Sequence, residues 1–482
     1  MPNVTNVRDI QLPASVSSMN NLQVTSKRTE ATGVTQPRKR VLFLTHRVPY
    51  PPDRGDRIRA FHILQFLAAR YDVSLAAVSD EPVTSEQMQV IESFTQRVSI
   101  QKINAKWGKL RGLLSLAIGG AVSPAYFYRP ALARTIAAWH REQPFDAVVT
   151  FCTGMVRYAR AITVAAPLPL RERQGEGRVN DNNHSDHHTE AARPTLPQPL
   201  PQRVGSKNPI HIIDLVDVDS AKWAEYANHS KFPMRLIYAT EAKRLRAIEA
   251  GEHDHFDAIG VVSEAEANIY RSEVGHHRGL TVLRHAVDTQ FHQPMPDANS
   301  KTIVFIGVLN YKPNVEGIIW FVRHVMPLLR EQVPDVKLQI IGRHPSPQVT
   351  ALSTEANVEV VGSVPDVRDY LRNAVASIAP LQIARGVQTK VLEAMASGRV
   401  AVCSKGAAEG IHGNDGEHLL VCDSPVQWAA TLTRVITDPA LRSRLATQAR
   451  HRIEDQYRWE KCYEPLEKLI NRQDDQPLRK AA

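Results

Sequence analysis

The stretch Ala376 to Ser404, ASIAPLQIARGVQTKVLEAMASGRVAVCS, gathers the residues with most chemistry to offer. Its pattern predicts a strand, a Gly-containing loop, a helix and a second strand. Gly386 stands where the helix is expected to begin, and a helix start presents unpaired backbone N–H groups that attract anions. Arg385 and Lys390 flank that start with positive charge. Lys390 and Glu393 are three residues apart and share a helix face, which puts the carboxylate roughly 4 to 5 Å further along the axis at about 1.5 Å per residue. That offset suits a ribose beside a diphosphate, because a carboxylate accepts hydrogen bonds from vicinal hydroxyls. It equally suits a solvated Lys and Glu on an ordinary helix.

Those side chains need a scaffold, and the apolar runs outline one. VLFLTH, from Val41 to His46, reads as a buried strand, and Ile58, Phe61, Leu64 and Leu67 follow at helical spacing. DVSLAAV, FDAVVTF, IHIIDLV, FDAIGVVS and TVLRHAV continue as strands, several of them separated by helix-like stretches. From Lys301 the pattern restarts: TIVFIG, a helix through Trp320 and Phe321, VKLQIIG, VEVVGSV, ASIAPL, the LEAMAS helix, VAVCS and HLLVC, then two amphipathic helices. The expected fold class is α/β, with two Rossmann-like, doubly wound parallel-sheet domains facing a central cleft. The expected divisions are a disordered tail over 1–37, a first domain over 38–295 and a second over 296–455. Residues 456–482 are expected to form a helix packing back toward the first domain, then a tail. Residues 171–209 carry five prolines and four large aliphatics, and read as an insertion loop within the first domain. Its His184, His187 and His188 have no framework to orient them as metal ligands.

Composition narrows the partners. At 482 residues the chain is roughly three times the usual single-domain size. Hydrophobic residues at 43% and charged residues at 23% exclude collagen-like, coiled-coil and wholly disordered classes. The longest nearly uncharged apolar run, Gly112 to Val122, has 11 residues against the ~20 that cross a bilayer. With no secretory signal pattern at the start, the expected compartment is the cytoplasm. Cys152, Cys403, Cys422 and Cys462 form no CxxC pair and read as buried thiols. The net charge of +9 is concentrated early: Arg38 to Arg70 holds eight basic residues and two acids, and Lys102 to Pro130 holds five basic residues and none. Aromatics at 6% are too few to interleave stacking platforms with that charge, so anionic lipid or phosphate ligands fit better than nucleic acid.

LEAMASGRVAV resembles the signature of family-4 glycosyltransferases. FLTHRVPYPPDRGDRIRAFHIL, DLVDVDSAKWAEYA, FIGVLNYKPNVEGIIWF and APLQIARGVQTKVLEAMA, in that order, are similar to sugar transferases of PEP-CTERM/exosortase and exopolysaccharide gene clusters. The resemblance covers about Arg40 to Ile470 apart from the insertion. It implies the GT-B fold and transfer of a sugar from a nucleoside-diphosphate donor with retention of configuration. The donor is substrate, and neither cofactor nor metal is implied.

Position by position, Glu393 matches the second acid of the family's Glu-x7-Glu pair, which binds the donor ribose. The first acid would fall at position 385, where this chain has Arg385. An arginine cannot accept hydrogen bonds from sugar hydroxyls, but its charge can serve the diphosphate or an anionic sugar group. The Gly307 to Asn314 stretch matches the segment whose cation contacts the leaving diphosphate; Lys312 is the candidate there and Lys390 its competitor. Gly342 and Arg343 fall at the next strand end, and Val364 to Asp366 where the resemblance implies that backbone grips the base. In the first domain, Gly55 matches a Gly-rich loop approaching donor phosphate or acceptor, and Arg54, Arg57 and Arg59 could meet a lipid-linked diphosphate acceptor. Asp217 and Asp219 suit the acceptor side or a helix cap better than a metal.

Lys102 to Gly120, with its lysines, Trp107 and leucines, suits an interfacial helix on anionic lipid, and equally a core-packed one. The expected partners are therefore a nucleotide sugar, a lipid-linked saccharide acceptor and the inner face of the cytoplasmic membrane. Two rivals use the same cleft: a nucleotide-sugar epimerase, and a non-catalytic subunit that binds nucleotide sugar or lipid. A Rossmann dehydrogenase ranks last, since no G-x-G-x-x-G with a trailing acid follows a strand.

Overall fold

The computed structural model describes residues 37–163, 208–251, 255–384 and 386–472. Residues 1–36, the bulk of the expected insertion loop with its three histidines, Arg385 and the end of the expected tail lie outside the described residues.

The apolar runs of the first lobe become seven parallel strands: β1 (Arg40–Thr45), β2 (Asp72–Ser79), β3 (Arg97–Lys102), β4 (Ala147–Phe151), β5 (Ile210–Val216), β6 (Ala258–Val261) and β7 (Leu280–Val282). Their order is β3-β2-β1-β4-β5-β6-β7. Period-2 geometry sends alternate side chains to opposite faces. Val41 and Phe43 of β1 join one core with helix α1 (Gly55–Ala68), while Leu42 and Leu44 join another on the far face. Burial on both faces is what makes these strands near-continuous apolar runs. β3 is missing from the sequence reading. As an edge strand its RVSIQK is half-buried along most of its length, so its polarity hides it.

On this lobe, α2 (Ala105–Ala117) occupies the apolar stretch first read as an interfacial or core helix. The DVDS segment opens α3 (Asp219–Asn228), followed by α4 (Met234–Gly251).

The second lobe has six parallel strands, β8 (Thr302–Ile306), β9 (Lys337–Ile341), β10 (Val358–Gly362), β11 (Ala376–Ala379), β12 (Val400–Cys403) and β13 (Leu420–Val421), ordered β10-β9-β8-β11-β12-β13. Helices α5 (Lys312–His324) and α6 (Thr389–Ala396) follow β8 and β11. Trp428 is wholly buried against Phe321 of α5, at 5.5 Å between ring centroids.

The chain passes between lobes twice. After β7 the connection reaches β8, and Arg399 ties its end down by donating to the Pro296 and Leu371 carbonyls at 2.7 and 2.6 Å. After α7 (Pro439–Gln456), which packs on the second lobe through Leu441, Leu445, Ala449 and Ile453, the chain returns. The final helix α8 (Trp459–Ile470) buries Cys462, Tyr463, Leu466 and Ile470 in the first-lobe core, with Tyr463 5.4 Å from Phe66. The two passes touch where Val287 N donates to Tyr457 O at 2.9 Å.

Candidate functional site

Strand order reverses direction between β8 and β11, and this is the point where a doubly wound sheet leaves a crevice at its C-terminal edge. Gly307 leaves β8 at that crevice. A Cβ there would come within 2.8 Å of Asn314 Nδ2 and 3.2 Å of Lys390 Nζ, so the absent side chain makes room for an ammonium. Asn314, in the first turn of α5, donates from Nδ2 to Val308 O at 2.9 Å and accepts from Lys390 Nζ through Oδ1 at 2.6 Å. The ammonium also lies 4.8 Å from the centroid of the Phe305 ring. Lys390 is thus steadied by a neutral amide and an aromatic face.

One turn further along α6 stands Glu393. Desolvation pushes Lys390 down to about 7 against the pull of Glu393, and pushes Glu393 up to about 7 against the pull of Lys390. Desolvation disfavours both charged forms. A bound anion would restore the ammonium.

The helix begins at Thr389, not at Gly386. Gly386 has φ +64, a left-handed conformation that cannot continue into a right-handed helix, and it sits in the loop three residues earlier. A Cβ on it would overlap Asp217 Oδ1 of the first lobe. Arg385 lies outside the described residues.

Gly342 has φ +152 and abuts the Gly307 carbonyl so closely that a Cβ would overlap it, so Gly342 sets the path of the Gly307 loop. Arg343 crosses the cleft: Nη1 donates to Asp53 Oδ2 at 2.7 Å. Lys312 opens α5 but is exposed, 3.8 Å from Glu316, and is not brought to the Lys390 cluster. The register explains it: Lys312 and Asn314 lie two residues apart, hence on different faces of the helix. Val364 and Asp366 follow β10. Asp366 is bound by its neighbour Arg368, whose guanidinium lies 3.8 Å from the Phe291 ring centroid, and Val364 packs in a small cluster with Leu371.

The first lobe reverses its strand order between β1 and β4. There Asp56 gathers His46 at 3.3 Å, Arg47 at 3.2 Å and Arg54 at 2.9 Å. Burial alone would raise Asp56, but these partners outweigh it and hold its carboxyl well below the usual range. Gly55 begins α1 with open space where a Cβ would be. Arg57 is committed to Asp53 at 3.2 Å and Glu81 at 2.6 Å.

Arg59 corrects the sequence expectation. It is fully buried, bound to Asp214 at 2.8 Å and to the Leu283 carbonyl at 2.6 Å, and cannot reach an acceptor. Asp217 and Asp219 do not cap α3, whose N-cap is Val218 without a side-chain bond. Asp217 instead faces Gly386 and lies 3.7 Å from Lys222. Asp219 is half-buried, and desolvation raises its pKa against the opposing Lys222. Burial also holds nearby Glu249 up to about 8, with Ser220 donating to it at 2.5 Å and Asp219 adding to the rise.

Sequence reasoning missed Asn314, Lys222, Asp53 and the cross-lobe pair Tyr226 and Tyr311, whose hydroxyls are 3.2 Å apart. Only Asn314 had a local signal: a polar residue in the apolar stripe of α5, where it is 5% exposed.

Residues 300–438 match the family described as Glycosyl transferases group 1. An uncharacterized 44.6 kDa protein in the cps region of Klebsiella pneumoniae is 23% identical over 178 residues, 35% of this chain. The match spans about half of that protein, 46% of its length. Among solved structures, Anabaena HepE in complex with UDP superposes with a TM-score of 0.57 at 13% identity, covering 89% of this chain and 99% of that one. Sucrose-phosphate synthase from Thermosynechococcus elongatus gives 0.60 at 15% identity, covering 90% and 98%. At such identities the likeness is one of fold. The chain has the GT-B fold, and the match to the Glycosyl transferases group 1 family lies in its second lobe.

Proposed function

We propose that the chain is a retaining glycosyltransferase, moving a sugar from a nucleoside-diphosphate sugar to a lipid-linked or growing exopolysaccharide acceptor. The observation that carries the reading is the Lys390 ammonium, held by Asn314 over Gly307 at the strand crossover with Glu393 one turn along the same helix. A diphosphate would supply the desolvated cation with anionic charge beyond the pull of Glu393. The binding of UDP and UDP-glucose by the similarly folded HepE supports a nucleotide sugar as ligand.

In this mechanism Lys390 and the Gly307 backbone stabilise charge that grows on the departing diphosphate, the place where preorganised cations lower a barrier most. Arg385, the neighbour of Gly386 in the sequence, is assigned a supporting charge for the diphosphate on the sequence alone. Glu393 accepts hydrogen bonds from the ribose, and backbone near Val364 to Asp366 lines the base. Lys390 takes the phosphate role for which Lys312 was the sequence candidate. The acceptor oxygen bonds to the anomeric carbon as the bond from that carbon to the phosphate oxygen breaks, and the acceptor proton passes to the leaving phosphate on the same face. No protein nucleophile or cofactor takes part. The contacts between Asp53 and Arg343 and between Tyr226 and Tyr311 suit a closed form that excludes water from the donor.

A membrane-borne acceptor is supported by α2. Trp107, Leu110, Leu113, Leu114 and, just beyond the helix, Ile118 are exposed, at 68, 47, 52, 58 and 87%, amid Lys102, Lys106 and Lys109. A contiguous apolar patch rimmed by lysines fits the headgroup layer of an anionic bilayer. No helix among the described residues is long and apolar enough to cross one. The relative in a cps region is consistent with polysaccharide chemistry.

Thermal denaturation with UDP, GDP, ADP and dTDP sugars tests the reading. One donor class should raise the melting temperature by mass action, and Glu393→Ala should abolish the rise. A wild-type protein indifferent to every donor would overturn the proposal, and an undiminished rise in Glu393→Ala would remove the ribose assignment.

A further inference from the structure

The end of β5 is built to aim one carboxylate across the cleft. Pairing with β6 slips between Asp214 and Val216, and Val216 has φ +69. A β-branched residue in the left-handed region is a true outlier, kept only where its surroundings impose it, and such residues gather at functional sites. Here the imposing element is the buried Arg59–Asp214 pair. Arg59 grips both oxygens of Asp214, at 2.8 and 3.1 Å, and Asp214 Oδ1 accepts from Val216 N at 3.2 Å. A bulge of this kind re-aims the next side chain. That side chain is Asp217, whose Oδ1 rests against Gly386 of the opposite lobe. Lys222 Nζ lies 3.7 Å from its other oxygen, and the carboxylate side chain remains 21% accessible.

We infer that Asp217 accepts hydrogen bonds from hydroxyls of the sugar ring of the bound nucleotide sugar, with Lys222 as the donor beside it. The inference rests on the nucleotide-sugar reading above. With the diphosphate at Lys390 and the ribose at Glu393, the nucleoside extends along α6 toward its C-terminal end. The sugar therefore leaves the diphosphate on the other side, toward Gly386. Gly386 has no side chain to offer, and the residue that fills its empty flank is Asp217. A carboxylate accepts from two vicinal hydroxyls at once, and the neighbouring ammonium donates to a ring or hydroxyl oxygen. The sugar is then read by the first lobe and the nucleotide by the second, so only the complete donor engages both.

Calorimetry on the full chain separates the two contributions. Wild type, Asp217→Asn and Gly386→Ala are titrated with UDP, GDP, ADP and dTDP, and with their glucose, galactose, mannose and N-acetylglucosamine conjugates. In Asp217→Asn the affinity for the preferred diphosphate should hold within about twofold, while its sugar conjugate binds roughly tenfold to a hundredfold more weakly, as expected for one charged hydrogen-bond partner. Gly386→Ala, whose methyl group would overlap Asp217 Oδ1 and whose φ of +64 disfavours alanine, should weaken the sugar conjugate at least as much, and only Asp217→Asn is read against the free diphosphate. Retained diphosphate binding shows that Asp217→Asn is folded. The inference is overturned if Asp217→Asn binds both ligands like wild type, if it loses both together, or if donor affinity persists while transfer alone fails. If wild type binds no diphosphate at all, the nucleotide-sugar reading itself has failed, which is a separate result.

Discussion

Affinity for a nucleotide sugar should peak near neutral pH and fall on the alkaline side because of Lys390. Desolvation brings its ammonium down to about 7, and its hydrogen-bond partner Asn314 carries no charge. Each phosphate of a nucleotide sugar is a diester with one fixed negative charge, so the ligand itself does not titrate in this range. Bound next to the amine, it favours the charged form and returns the pKa toward the ordinary lysine value of about 10.4. The protonated enzyme is the one that binds well. Above pH 7 the free enzyme progressively loses that proton, so binding takes one up and the association constant falls toward tenfold per pH unit until the pKa of the complex is reached. From pH 7, where about half the amines are already neutral, to pH 8.5 Lys390 alone costs roughly sixteenfold and the ionisation of Glu393 returns about twofold, a net loss of roughly eightfold, about 1.3 kcal/mol at ~1.36 kcal/mol per unit. Glu393, held up to about 7, must release its proton to accept ribose hydroxyls, so affinity also declines below neutrality. Calorimetry between pH 6 and 9, in buffers of different ionisation enthalpy, reads both affinity and proton uptake. Lys390→Met should bind weakly with a flat alkaline limb. Constant wild-type affinity from pH 7 to 8.5, or an alkaline slope that persists in Lys390→Met, would refute the assignment.

Gly342→Ala should cost about 1–3 kcal/mol from its left-handed conformation alone, with more from the overlap on the Gly307 carbonyl, and should weaken donor binding as well; urea unfolding and the donor-induced melting shift measure the two. Arg59→Met leaves Asp214 buried without its partner, so a loss of about 3–5 kcal/mol is expected in equilibrium unfolding, where a surface arginine would cost under 1 kcal/mol. The double variant Trp107→Ala with Leu113→Ala should sediment roughly tenfold or more less with vesicles rich in anionic phospholipid, while its melting temperature stays unchanged, because both side chains are more than half exposed. Equal sedimentation of variant and wild type would count against the α2 surface.

The two sheets were legible because parallel strands buried on both faces are written as unbroken apolar runs, and the restart at Lys301 is a local signal. β3 was not, since an edge strand can afford polar residues. Lys390 and Glu393 were legible from helical spacing within fourteen residues of the end of β11. Asn314, 76 positions away, was not, because only the crossover of β8 and β11 brings it to the ammonium. The arginines of the first lobe show the opposite failure. Arg57 and Arg59 look alike in DRGDRIR, but helix geometry turns Arg59 onto Asp214, 155 residues later, and turns Arg57, itself buried, onto Asp53 and Glu81. Charge can be counted in a sequence; the partner that neutralises it cannot.

The hydrogen bond between Val287 and Tyr457 sets the outbound and returning chains side by side. Had the connections left from opposite ends of the lobes, they would have braced the two halves into one block. Placed together, they leave a single line about which the halves can swing, and they resist shear and twist. Any jaw-like opening then carries the Gly307 loop away from Asp217 along one arc and brings it back to the same seat on every cycle. Cutting the chain after Gln456 would remove one of the two pins and, with it, that repeatability.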